Sequence, residues 1–231
     1  MVVLIAVVQI ADPSIAREPP TIDTDAPARE LAEDAISHLR HTDYQFKHYR
    51  TAKNDANEQF LLSETTVSNT DNRFIFREYG MNITVITYGS EAMGYQKYGD
   101  ADWARYRELR YTPQTNVLGE SKTLNQASVA VVSETDEQIV LEVTESETVS
   151  ELARPGFATA TGSNQTLRLY LDASDGRIMH LERTVNYSAA DKPDWVDTGD
   201  VSYTDAEVTR PEGIGFHVEE LLWDVTSGPL I

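Results

Sequence analysis

"TLRLYLDASDGRIMHLERTVNY" (residues 166–187) is the stretch on which the fold turns. Its two flanks alternate apolar and polar side chains, and "ASDG" stands between them. A period of two sends successive side chains to opposite faces of a strand. Asp caps its own turn and Gly takes positive φ, so the middle reads as a tight turn. The whole stretch is therefore a strand that ends in Asp, turns through Asp-Gly and returns antiparallel.

The same grammar extends in both directions. "YQFKHYR" (44–50), "QFLLSETTV" (59–67), "RFIFREY" (73–79) and "ITVITYG" (83–89) are short β-branched and aromatic runs, parted by "NDAN", "NTDN" and "GMN". "AMGYQKY", "WARYREL", "ASVAVVS" and "QIVLEVT" continue the series, and "DVSYTDAEV" (200–208) closes it. Runs joined by short turns predict a meandering antiparallel sheet of about eleven strands. An open sheet that long must curl or close. "TVSELARPGFATATGSN" (148–164) breaks the series and reads as a short helix plus loop, with Pro155 and Gly156 ending the helix.

One helix precedes the strands. Ala28, Leu31, Ala32, Ala35 and Leu39 recur at helical spacing, with charged residues on the other faces, predicting a helix over about 26–41. Asp25 and Pro27 stand where a helix start favours an acceptor and a preset φ. The apolar stripe needs a partner, and the hollow of a curled sheet is the available one. The fold class is thus α+β: a long curled antiparallel half-barrel of about eleven strands, with this helix and a second short one against its concave face. Residues 26–231 are read as a single domain.

Residues 11–25, rich in Pro, Asp and Thr, read as a tether. Before them, "MVVLIAVVQI" is too short to span a bilayer and lacks the basic region of a signal peptide. It is expected to be the tail of a signal or anchor helix, with a short buried strand as the alternative. Three sequons, at Asn82, Asn164 and Asn186, are compatible with an extracytoplasmic protein.

Composition narrows the partners. The 231 residues carry 38 acidic and 19 basic side chains, a formal charge of −19 spread along the chain. That field repels nucleic acid and anionic membrane, and it favours a soluble monomer. Membrane association is expected only through an N-terminal anchor. Arg outnumbers Lys 14 to 5 beside abundant Thr, a balance pointing to a halophile, where salt screens the self-repulsion. An acidic protein of ordinary salt is the plainer alternative. There is no Cys, hence no disulfide, thiolate metal site or cysteine nucleophile.

"GYQKYGDADWARYRELRY" (94–111) interleaves aromatic and basic residues, but it nets only +1 and makes no cationic track. "GDAD" reads as the turn of a central hairpin.

The layout resembles the LolA/LolB-type lipoprotein-carrier fold, in which an antiparallel half-barrel wraps an apolar cavity lidded by helices. Three features carry the resemblance over about residues 26–210: the helix-into-strand entry "AISHLRHTDYQFKHYR", the "GYQKYGDADWARYR" hairpin and the late "LRLYLDASDGRIMHLERTV" pair. It implies an extracytoplasmic, lipoprotein-like binding protein, as among uncharacterised haloarchaeal lipoproteins. That fold has no invariant catalytic motif, so no residue inherits a role. The lipidated Cys of its lipoprotein members has no counterpart here.

The residues themselves nominate no reaction. His38 and His41 are spaced i, i+3 without the carboxylate of a zinc motif, and they suit a helix end. "DASDG" and "YGDAD" are turns rather than calcium loops. There is no G-x-S-x-G elbow, "GIGFH" (213–217) lacks the continuation of a phosphate loop, and nothing selects a carboxylate pair. No catalytic residue, metal or cofactor is expected.

Binding remains. The expected function is to hold a lipid or other hydrophobic small molecule in the half-barrel, the alternative being a cell-surface interaction domain whose own helix fills the cavity. Phe74, Phe76, Ile86, Tyr88, Tyr95, Trp103 and Tyr106 are the candidate cavity wall. Trp103 and Tyr106 fall on opposite faces of a regular strand, so one of the two is expected to line the hollow.

Overall fold

A computed structural model of the chain describes residues 19–52, 59–68, 73–80, 83–89, 94–106, 117–153, 163–187, 194–203 and 208–214. The expectations for the apolar start, the Asn82 sequon, the loop after the second helix and most of "GIGFH" lie outside these residues.

The first helix, α1 (Ala28–Leu39), buries Leu31, Ala32, Ala35, Ile36 and Leu39. Its start differs from expectation. Pro27 is the N-cap and no side chain caps the helix, while Asp23 accepts the Ala26 and Asp25 amides instead. Both histidines at its end bond carbonyls, His38 to Pro20 and His41 to Ser37, at 3.0 and 2.6 Å.

Among the described residues eleven strands form one antiparallel sheet. They are β1 (Tyr44–Ala52), β2 (Gln59–Ser68), β3 (Arg73–Tyr79), β4 (Thr84–Gly89), β5 (Gly94–Tyr98) and β6 (Ala104–Tyr106), then β7 (Val129–Glu134), β8 (Gln138–Val143), β9 (Ser163–Asp172), β10 (Ile178–Tyr187) and β11 (Trp195–Ser202). The order β6-β5-β4-β3-β2-β1-β11-β10-β9-β8-β7 shows two meanders joined where the first strand pairs the last. The sheet is curled and unclosed. A 3-10 helix (Ser121–Gln126) and the second helix, α2 (Ser146–Ala153), complete the described elements.

The hairpin of residues 166–187 is β9–β10. Asp172 accepts from the Ser174 amide and hydroxyl, and Gly176 takes φ +71° in the turn. A side chain at Gly176 would also collide with Ile22, whose Cγ2 occupies the space a Cβ would need. The tether therefore ends earlier than residue 25, because Ile22 already packs on the core. The last strand is displaced as well. It begins at Trp195, not Asp200, and Asp197 and Gly199, which resemble turn residues in the sequence, sit inside it.

One face of the sheet carries the main core. Leu167, Leu169 and Leu171 of β9 and Leu141 and Val143 of β8 pack with the stripe of α1 and with Val149, Leu152 and Ala153 of α2. Each fully buried Leu contributes about 2 kcal/mol. The principal helix contacts are those of α1 with β7, β10 and the 3-10 helix, and of α2 with β9 and the 3-10 helix. Tyr44, Phe46, Val67 and Phe74 carry the same core onto β1, β2 and β3.

Candidate ligand-binding face

Register decides which side chains share the helix-bearing face. Phe46 stands opposite Thr65, Thr65 opposite Phe76, Phe76 opposite Thr87 and Thr87 opposite Gln96. Along the same strands, Val67 stands opposite Phe74. Phe74 is fully buried and Phe76 half-buried against the main core. Between these rings the surface is hydroxyl-bearing: Ser63, Thr65 and Thr87 are buried, and Gln96 donates to Thr87 Oγ1 at 3.1 Å. Aromatic walls with a few polar groups are the usual lining of a small-molecule site.

At the junction of the two meanders this face becomes ionic. Arg50, Asp197 and Arg183 stand directly opposite one another on β1, β11 and β10. Arg50 donates through Nε and Nη2 to the two Asp197 oxygens at 2.7 and 3.2 Å. Arg183 donates to Oδ2 through Nε and Nη2 at 3.2 and 2.5 Å. His48 Nε2 lies 3.2 Å from Oδ1, and Trp195 Nε1 donates to Oδ2 at 3.1 Å. Asp197 and Arg183 are entirely buried, whereas a quarter of the Arg50 side chain is exposed. Its guanidinium lies over the Trp195 ring, 4.4 Å from the centroid.

Burial pushes the Asp197 carboxyl up, but hydrogen bonds from His48 and Arg50 and the Arg183 charge outweigh it, leaving the group well below the usual carboxylate range. Burial lowers His48 and Arg183, with Asp197 opposing both shifts. The cluster holds a carboxylate and two guanidinium groups in a water-poor site, which suits fixing strands or meeting an anion.

The layout is the open half-barrel expected from the sequence. No family model matches the chain, and no curated protein matches it. Solved structures similar to it include the Mycobacterium tuberculosis lipoprotein LppX, 12% identical, with a TM-score of 0.47 over 78% of this chain and 93% of that one. A LolA superfamily protein from Nitrosomonas europaea is 11% identical, with a TM-score of 0.32 over 77% of this chain and 92% of the other. These likenesses concern the fold and assign no residue a role.

The seven candidate wall residues do not lie together. Phe74 and Phe76 are on the helix-bearing face. Tyr88 stands opposite Ile75 and Tyr95, and this row belongs to the outer face, as does Ile86 two residues before Tyr88. There Tyr88, Tyr95 and Val208 form a second buried cluster with Ile75, Trp103 and Ile214 against it. The segment 208–214 covers them as a strap. Trp103 Nε1 donates to the Glu212 carbonyl at 3.1 Å, and Arg210 lies 5.6 Å from the Tyr95 ring centroid. Tyr106 stands opposite Gly94 in the register, and its side chain is outside the described residues. The aromatic face of the central hairpin thus meets the protein's own late segment.

The Asp197 cluster joins residues far apart in the sequence and has no local motif. Its trace is legible as Arg183, a charge in phase with Leu181 and Val185 on an alternating strand. Two of the sequon asparagines, Asn164 and Asn186, stand opposite each other on β9 and β10. Among the described residues no group of three or more His, Asp or Glu is placed to hold a metal ion, and no helix is long and apolar enough to cross a membrane.

Proposed function

We propose that this protein is a non-enzymatic, extracytoplasmic binding protein that holds a lipid or other hydrophobic molecule against the helix-bearing face of its half-barrel. Residues 26–231 act as one unit in this reading. The observation that carries it is the asymmetry of that face. The helices lean on β7, β9 and β10, while on β2 to β4 the same face carries the core residues Val67 and Phe74, the half-buried Phe76 and the buried hydroxyls of Ser63, Thr65 and Thr87. Such a mixed apolar and hydroxyl lining suits an acyl or isoprenoid chain.

A second reading is an interaction domain whose hollow is filled by its own helix. The complete burial of the α1 stripe in the main core favours it over that half of the face.

Purification followed by solvent extraction and mass spectrometry separates the two. A co-purifying lipid, or saturable uptake of a hydrophobic fluorescent probe in molar salt, is the expected result. A protein that carries no lipid and takes up no probe is the interaction domain.

A further inference from the structure

Arg50 is held in an unusual way for a surface arginine. Both nitrogens of its Nε–Nη2 edge are bonded to a carboxylate that is itself wholly buried. Its plane rests on the Trp195 indole. A guanidinium fixed along one edge and one face has little rotamer entropy left to lose, and it presents its remaining Nη1 side in a set direction. Asp197 does not spend its charge on Arg50 alone, because Arg183 stands on its other side. Apolar groups stand at the two ends of this ionic row: Phe60, half exposed, opposite Arg50 on β2, and Leu167 opposite Arg183 on β9.

We infer that Arg50 is a recognition residue for an anionic head group, carboxylate or phosphate, on an amphiphile whose chain lies along the helix-bearing face. This rests on the binding function proposed above and names the class of ligand. A flat, pre-oriented guanidinium meets two oxygens of such a group at once, and a charge-assisted pair is stronger than a neutral one. The formal charge of −19 opposes an anion only at long range. At physiological salt that field is screened within about 8 Å, whereas a contact at bonding distance is not.

Competition against a bound hydrophobic fluorophore tests this with oleate, oleoyl lysophosphatidic acid and methyl oleate, at one ionic strength. The expected result is that at least one charged ligand competes about tenfold or more better than methyl oleate. Whichever anion is favoured names the head group. Arg50→Gln is expected to erase the preference, bringing the charged ligands to the level of methyl oleate on the same variant, while Arg50→Lys, which keeps the charge without the fork, retains part of it. Equal competition by all three ligands on the unaltered protein overturns the inference and leaves the binding function standing, and this arm needs no variant. A preference that survives Arg50→Gln also overturns it. Failure of all three to compete removes the inference together with the proposed function.

Discussion

The Phe46 ring lies over Gly199 across the seam where the first and last strands pair, so close that a Cβ on Gly199 would overlap Phe46 Cε2 and Cζ. Phe46 is buried in the main core. The seam joins the two meanders, so strain there acts on both. Gly199→Ala is expected to cost about 1–3 kcal/mol, as overpacking does. Phe46→Leu in the same chain is expected to recover part of it, which a double-mutant cycle in denaturant unfolding would reveal. Additive costs would mean the ring is not what excludes the methyl.

Asp197 is the hub of the ionic row. Asp197→Asn removes the charge that compensates Arg183 at zero exposure, and breaking a buried pair this way costs about 3–5 kcal/mol. Arg183→Met is expected to cost less, because Asp197 keeps Arg50 and the methionine fills an apolar row between Leu181 and Val185. The midpoint of chemical unfolding ranks the two variants, and the reverse order would show that Arg50 alone does not hold Asp197.

His48 gives the fold a pH dependence of definite sign. Burial keeps its imidazole below the ordinary histidine range, reinforced by Arg50 and Arg183 and opposed by Asp197. The unfolded chain therefore takes up the proton first as pH falls through about 6.5. Stability attached to the neutral ring is full above that value and declines as pH falls toward the lower native pKa. His48→Gln is expected to flatten the fall in stability between about pH 7.5 and 5. Denaturant midpoints at those two pH values, at fixed ionic strength, measure it; an unchanged slope would assign the dependence to other groups.

The fold is legible in the sequence because most strands are polar on one side and apolar on the other. β9 buries Leu167, Leu169 and Leu171 and turns Arg168 outward, so its pattern is plain. β11 reads too late because Asp and Gly mark turns in a sequence, yet here Asp197 serves the ionic row and Gly199 makes room for Phe46. The assignment of faces on β3 to β5 is hidden for a different reason. Phe74 is buried by the main core and Tyr88 by the strap, so neither face looks exposed and alternation loses its contrast. The strap joins residues more than a hundred positions apart, as Trp103 and Glu212 show, and no local pattern encodes that.

The two faces make a prediction that separates binding from stability. Phe76 is half-buried on the helix-bearing face, and Tyr95 is buried beneath the strap on the other. Tyr95→Ala removes a ring that Val208, Trp103 and Arg210 rest on, and about 3–5 kcal/mol of stability with it. Because that ring faces away from the proposed ligand, probe affinity in the folded fraction is expected to stay the same. Phe76→Ala is expected to do the opposite in proportion: a smaller loss of stability, since the ring is only partly enclosed, and a severalfold loss of probe affinity. Titrating the probe against both variants below their unfolding midpoints measures the pair. If Tyr95→Ala weakens the probe and Phe76→Ala does not, the ligand belongs beneath the strap and the helix-bearing face is only core.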